Sequence, residues 1–169
     1  MAYTTINKST DYFNTKLYTG NGSGGTGITG VGFQPDLLWI KRRNDTNAHH
    51  LVDAVRAAGY ALYPDMTAAQ AASQITSLDS DGFTLAGGGA AVNANSSTYA
   101  SWNWKANGSG SANTDGSTNS TVSVNSTAGF SIVKWTGTGA NATVGHGLGA
   151  VPKMIIVKDT DASDNWNVY

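Results

Sequence analysis

Across its 169 residues the chain has no cysteine and no glutamate; all eleven acidic residues are aspartates. Without cysteine there is no disulfide framework, no thiolate nucleophile and no thiolate metal site. Without glutamate the closing bidentate ligand of an EF-hand is missing. Charge is scarce too, at 12% of residues with a formal net charge of -1, against ~25% charged in ordinary soluble domains. Seven lysines and three arginines are too few to line a duplex with the clustered positive charge that phosphate neutralisation needs. Nucleic acid is therefore not an expected partner, and the run Lys41-Arg42-Arg43 reads as the solvated end of a strand. Long apolar runs are absent as well: no stretch approaches the ~20 residues of a membrane helix. Met1 to Lys8 also lack the basic start and apolar stretch of a secretion signal. The expectation is assembly in a cytoplasm, without membrane insertion.

What is plentiful is glycine, serine, threonine and asparagine, and they recur in order. Phe13–Val52 aligns without a gap on Phe130–Tyr169, at an offset of 117 residues. Thr19-Gly20 falls on Thr136-Gly137, Gly22 on Gly139, Gly30 on Gly147, Gly32 on Gly149 and Pro35 on Pro152. Leu37–Ile40 meets Met154–Val157, apolar against apolar at each position. Shared glycines and a shared proline at one offset imply shared backbone turns, so the chain reads as one unit followed by the start of a second copy.

The unit reads as β. Phe13–Tyr18 is an aromatic-rich strand, and Leu37–Ile40 is a short apolar run suited to a strand buried in a sandwich core. Tyr60–Tyr63 is a strand stopped by Pro64. The Ala-rich stretch Thr67–Gln74 predicts a helical turn or two, with Thr67 as its cap. Ser77–Leu85 reads as strand, Asp-Gly turn, strand, and Gly87–Ser97 as loop. Thr98–Lys105 alternates Tyr99, Ser101, Asn103 against Ala100, Trp102, Trp104, the period of a half-buried strand; the two tryptophans are expected in the core. Residues 107–128 are Gly/Ser/Asn/Thr-rich and read as a linker, with Thr121–Val124 as a short edge strand. The expected organisation is an anchor segment at 1–12, a first β-sandwich unit at 13–106, the linker at 107–128 and an incomplete second unit at 129–169. The chain stops inside that second copy, so further polypeptide, or another chain, is expected to complete it.

Few constellations suggest chemistry. His49 and His50 are adjacent, so on a strand they point to opposite faces, and neither they nor His146 have companion ligands of the kind zinc wants. Asp79 and Asp81 share the spacing of a carboxylate pair, but Asp79-Ser80-Asp81-Gly82 is also the composition of a tight turn. Gly108-Ser109-Gly110-Ser111 lacks a nucleophile elbow, and Gly20–Gly27 lacks the ending of a phosphate loop. No catalytic residue, cofactor or metal site is expected. Tryptophans are the stronger lead, because rings stack on the apolar faces of sugars. Trp39, Trp102 and Trp104 read as core, which leaves Trp135 and Trp166 as candidate glycan-binding residues.

Five segments carry a family resemblance: Gly32–Asn44 (GFQPDLLWIKRRN), His49–Arg56 (HHLVDAVR), Leu78–Leu85 (LDSDGFTL), Tyr99–Gly108 (YASWNWKANG) and Ala142–Lys158 (ATVGHGLGAVPKMIIVK). With them the chain resembles repeat-containing virion structural proteins of marine bacteriophages, including phages of cyanobacteria. The resemblance implies jelly-roll or concanavalin-A-like, lectin-like antiparallel β-sandwich units, strung in tandem in tail fibres or capsid-attached appendages. It implies a virion location, with other virion proteins and further copies of the chain, such as a trimer, as partners, and host attachment as the role. The alternative expectation is a carbohydrate-binding module that recognises a host surface glycan; a depolymerase comes third. The departure from the resemblance is length, since relatives carry whole repeats.

Overall fold

A computed structural model describes residues 6–169. Residues 1–5 of the expected anchor segment lie outside the described residues. The fold is all-β, built of antiparallel sheets with no closed barrel among the described residues. The first sheet holds β1 (Phe13–Thr19), β3 (Leu37–Arg42), β4 (His50–Asp53) and β9 (Thr98–Trp104), in the order β1-β9-β3-β4. Its central strand β9 sets Asn103 opposite Asn14 and Leu38, and Trp102 opposite Thr15 and Trp39. The second sheet holds β2 (Thr26–Thr29), β7 (Ile75–Asp79) and β8 (Gly82–Leu85), in the order β2-β8-β7. One apolar cluster draws on both sheets: Leu38, Ile40, Val52 and Tyr99 from the first, Ile28, Ile75, Phe83 and Leu85 from the second. Each such side chain contributes about 1.5–3 kcal/mol by leaving water.

The alternation in β9 is present, but its faces are reversed from expectation. Tyr99, Ser101 and Asn103 are buried, while Trp102 and Trp104 are half-buried on the outer face, as is Trp39. The tyrosines decide this. Tyr18 stacks on Tyr99 with centroids 5.0 Å apart, and Tyr18 Oη donates to the Val92 carbonyl at 2.8 Å. Tyr99 Oη donates to Ala90 O at 3.0 Å and accepts from the Ala94 amide at 2.8 Å. Both rings thus bridge β1 and β9 to a one-turn helix, α1 (Ala90–Asn93), which stands where a loop was expected. Buried Ser101 and Asn103 are tolerated because the neighbouring strand supplies acceptors: Asn103 Nδ2 donates to Asn14 O at 3.0 Å and Ser101 Oγ to Lys16 O at 3.4 Å.

The helix expected over Thr67–Gln74 does not form. Instead β6 (Ala71–Ala72) pairs with β5 (Tyr60–Ala61), and the Ser73 amide donates to Gly59 O at 2.9 Å. Strand pairing here overrides the helix propensity of alanine. The Ser77–Leu85 hairpin does form, with Ser80-Asp81 as its turn between β7 and β8. Gly82 sits at φ +152, and a Cβ there would lie 1.9 Å from the Ile28 carbonyl oxygen. Gly82→Ala is expected to lower unfolding free energy by about 2–4 kcal/mol, read as a shift in the urea midpoint.

The stretch expected as a linker is more structured than its composition suggested. It carries β10 (Ser111–Asn113) and β11 (Ser120–Asn125), which join β12 (Phe130–Trp135) in a third sheet of order β10-β11-β12. The strand expected at an edge is therefore central, with Val122 and Ser123 buried. A last hairpin pairs β13 (Ile156–Val157) with β14 (Asn167–Val168), Ile156 facing Val168 and Val157 facing Asn167. Shifted by 117 residues, these pairs land on Trp39 facing Leu51 and Ile40 facing His50, the register of β3 with β4. The aligned glycines agree: Gly22, Gly30 and Gly32 have φ of 74, 82 and 89, and Gly139, Gly147 and Gly149 each have 71.

Candidate functional site

The two candidate sugar-stacking residues take different roles. Trp135 ends β12, is 40% exposed, and borders an open cleft of about 490 Å³ with Thr118, Thr138, Asn141 and Val144. A free ring beside hydroxyl and amide groups has the chemistry to stack on a sugar and read its hydroxyls. Trp166 is half-buried, and its indole Nε1 donates to the carbonyls of Tyr63 at 3.2 Å and Met66 at 3.0 Å. It acts as a clip. Beside it the Gln70 amide donates to Thr160 O and the Asp164 amide to Thr67 O, both at 2.9 Å. The residues before β14 are thus fastened to the 63–70 loop, and Trp166 does not line the cleft of Trp135.

A larger aromatic surface covers the outer face of the first sheet. Trp39 and Trp102 meet edge to face at 6.2 Å, Phe13 and Trp104 lie 4.9 Å apart, and Trp104 stacks on Phe130 at 6.4 Å. Trp39 Nε1 donates to His49 Nδ1 at 2.8 Å, which holds that indole in place. Sequence reasoning missed this surface by sending these rings inward. The available signal was their common parity on β9, which groups Trp102 and Trp104 on one face without saying which face meets the core.

The histidines diverge as expected. His49 reaches the outer aromatic face, whereas His50 is buried with its ring edge-on to Tyr63 at 5.2 Å. Desolvation pushes the His50 pKa below the ordinary histidine value, and does the same to His49, where Asp65 opposes it and Lys41 adds to it. Both are held neutral in the fold, whereas an unfolded histidine takes up a proton near pH ~6.5. Stability is therefore complete above that pH and falls as the pH drops from ~6.5 toward the lower folded values. The urea midpoint is expected to decrease between pH 7.5 and 5.5, with a shallower decrease in His50→Gln.

The aspartate pair serves the backbone. Asp79 Oδ2 accepts from Thr84 Oγ1 at 2.7 Å. The Asp81 carboxylate accepts from the Gly30 amide at 2.9 Å and the Gly32 amide at 2.6 Å. Those two amides, with Lys16 adding a smaller pull, hold the Asp81 carboxyl below the usual carboxylate range. The two side chains thus face different partners rather than one reacting point. His146 lines a second open cleft, of about 550 Å³, with Asp115, Gly147, Gly149, Val151 and Pro152. Its Nδ1 accepts from the Leu148 amide at 3.1 Å. Among the described residues no three of His and Asp gather into a group that could hold a metal ion.

No curated protein and no solved structure matches this chain. One family does match, over residues 8–169, and it is described as Domain of unknown function (DUF7483). The chain belongs to that family.

Proposed function

We propose that this chain is a structural module of a bacteriophage virion, a tail fibre or capsid-attached appendage that contributes to particle architecture and host attachment. In this reading its sheets form jelly-roll or concanavalin-A-like sandwich units, and it acts without catalysis or a cofactor. Its partners are other virion proteins and further copies of itself, with a trimer as the simplest fibre. The observation that carries the reading is the set of five segments from Gly32 to Lys158 that resembles repeat-containing virion proteins. The composition supports it: short strands joined by Gly, Ser, Thr and Asn loops, with few charges, suit a stiff module exposed outside a cell. Mass spectrometry of density-banded particles from a phage encoding the chain tests this. Peptides of the chain at a fixed copy number per particle are expected, and their absence from intact particles would rule the reading out.

A second reading, a module that binds a host surface glycan, is favoured by Trp135 on its cleft. On a glycan array the unaltered chain is then expected to bind at least one host glycan, and Trp135→Ala to lose about tenfold or more in affinity, as removal of a stacked ring costs about 1–3 kcal/mol in comparable aromatic platforms. Equal binding by both chains, or by neither, would sink it.

A further inference from the structure

The chain carries one tetrapeptide twice. Asn21-Gly22-Ser23-Gly24 and Asn107-Gly108-Ser109-Gly110 are identical, and the sequence holds no other Asn-Gly pair. Asn-Gly is the pair most open to loss of the side-chain amide, because glycine has no Cβ to shield its backbone nitrogen. That nitrogen attacks the asparagine side-chain carbon once its proton can pass to solvent. Both asparagines are exposed, and both following glycines have positive φ, 74 for Gly22 and 63 for Gly108. Residue order and exposure therefore do not separate the two sites. Hydrogen bonding does.

At the first site both reacting groups are tied. The Gly22 amide donates to Asn93 O at 2.9 Å, so a carbonyl of a fully buried residue holds the proton that must leave. Asn21 Oδ1 accepts from the Ser23 amide and from Thr26 Oγ1, each at 2.9 Å, which fixes the side chain. At the second site Gly108 and Ser109 form a turn. Among the described residues, neither the Asn107 side chain nor the Gly108 amide makes a hydrogen bond. The chain is nevertheless anchored on either side of that turn. Before it, the Ala106 amide donates to Asp36 Oδ2 at 2.6 Å and the Asn107 amide to Ser123 Oγ at 2.8 Å. After it, Gly110 lies so close to β11 that a Cβ would stand 2.7 Å from the Val122 carbonyl oxygen.

We propose that Asn107 is a site of spontaneous deamidation, and that the fold protects the identical tetrapeptide at Asn21. The Gly108 nitrogen bonds to Asn107 Cγ, the Cγ–Nδ2 bond breaks, and ammonia leaves with the Gly108 amide proton, closing a succinimide ring. Water then opens the ring. Addition at Cγ gives aspartate, and addition at the backbone carbonyl carbon gives isoaspartate. Isoaspartate carries the main chain through Cβ and Cγ, adding a methylene between the anchors at Ser123 and Val122. β10, an edge strand of three residues that begins at Ser111, is what must yield. The inference stands apart from the virion reading.

The test incubates the full chain in mildly alkaline buffer and follows the tryptic peptides 17–41 and 106–134, which separate the two sites. Fragmentation assigns each exchange of amide for acid to its residue. Asn107 is expected to convert at least about tenfold faster than Asn21, since three hydrogen bonds must open before Asn21 can react. In concentrated urea the two sites should convert at similar rates. Equal rates in the folded chain overturn the proposal, as does an Asn107 that stays intact while the urea-unfolded chain converts. Asn107→Gln should block conversion at that site without changing the melting temperature; a lowered one would show the side chain to be engaged, and would overturn the assignment. The isoaspartyl form should melt below Asn107→Asp, which carries the same charge on a main chain of normal length. Equal melting of those two would overturn the strain placed on β10.

Discussion

Replacing Asp53 by alanine is expected to lower the free energy of unfolding by about 3–5 kcal/mol, the range for removing one partner of a buried ion pair. Asp53 and Arg56 are both buried, with Arg56 Nε donating to Asp53 Oδ2 at 2.6 Å and the Arg56 amide to Oδ1 at 2.8 Å. The guanidinium also donates to Gln70 Oε1 and Leu51 O, each at 3.4 Å. Without the carboxylate, a cation stays desolvated with only neutral acceptors. The magnitude comes from that orphaned charge rather than from the worth of the pair, so Asp53→Leu with Arg56→Met should recover most of the loss. Urea unfolding of the two variants measures this. Because Gln70 and its loop hold Thr160, Asp164 and Trp166, Asp53→Ala should also shift Trp166 fluorescence before the main transition. An unfolding midpoint equal to that of the unaltered chain would refute the assignment.

Phe83→Ala is expected to cost a similar amount, about 3–5 kcal/mol, through the cavity it leaves. Phe83 is fully buried on β8, faces Ile28 across one strand pair and Leu78 across the other, and meets Tyr18 edge-on at 6.0 Å. It is where the second sheet packs into the first. Against a typical domain stability of about 5–15 kcal/mol this is about a fifth of the total or more. Phe83→Leu keeps most of the volume and should cost less than about 1.5 kcal/mol. Thermal unfolding followed by near-ultraviolet circular dichroism separates the two, and equal losses would mean the site does not behave as a packed core.

Some of this architecture is readable from residue order. The Asp-Gly pair between β7 and β8 announces its own turn, because Gly82 occupies a conformation that glycine alone adopts readily. The apolar run at Leu37–Ile40 becomes a strand, and the aligned glycines reappear with the same positive φ. These features are local: a turn type or a strand period depends on a few neighbouring residues.

Other features are not. β10 and β11 arise in a stretch with no large apolar residue, since Ser120, Val122 and Ser123 are buried by the strands that flank them. Ala71 and Ala72 extend because Tyr60 and Ala61 are there to pair with, although alanine favours helix. Trp166 looked like a free ring until the carbonyls of Tyr63 and Met66, a hundred residues away in the chain, were seen to bind it.

The same division holds for the candidate surfaces. Residue order alone established an all-β chain of antiparallel character, the offset that relates its two segments, and the parity that puts Trp102 and Trp104 on one face of β9. Which face of β9 turns inward was settled by tertiary contacts: Tyr18 and Tyr99 dock on α1, so Ser101 and Asn103 follow them into the core and the tryptophans face out. Period-2 alternation divides a strand into two sets of side chains, but only the elements packed against it choose between them.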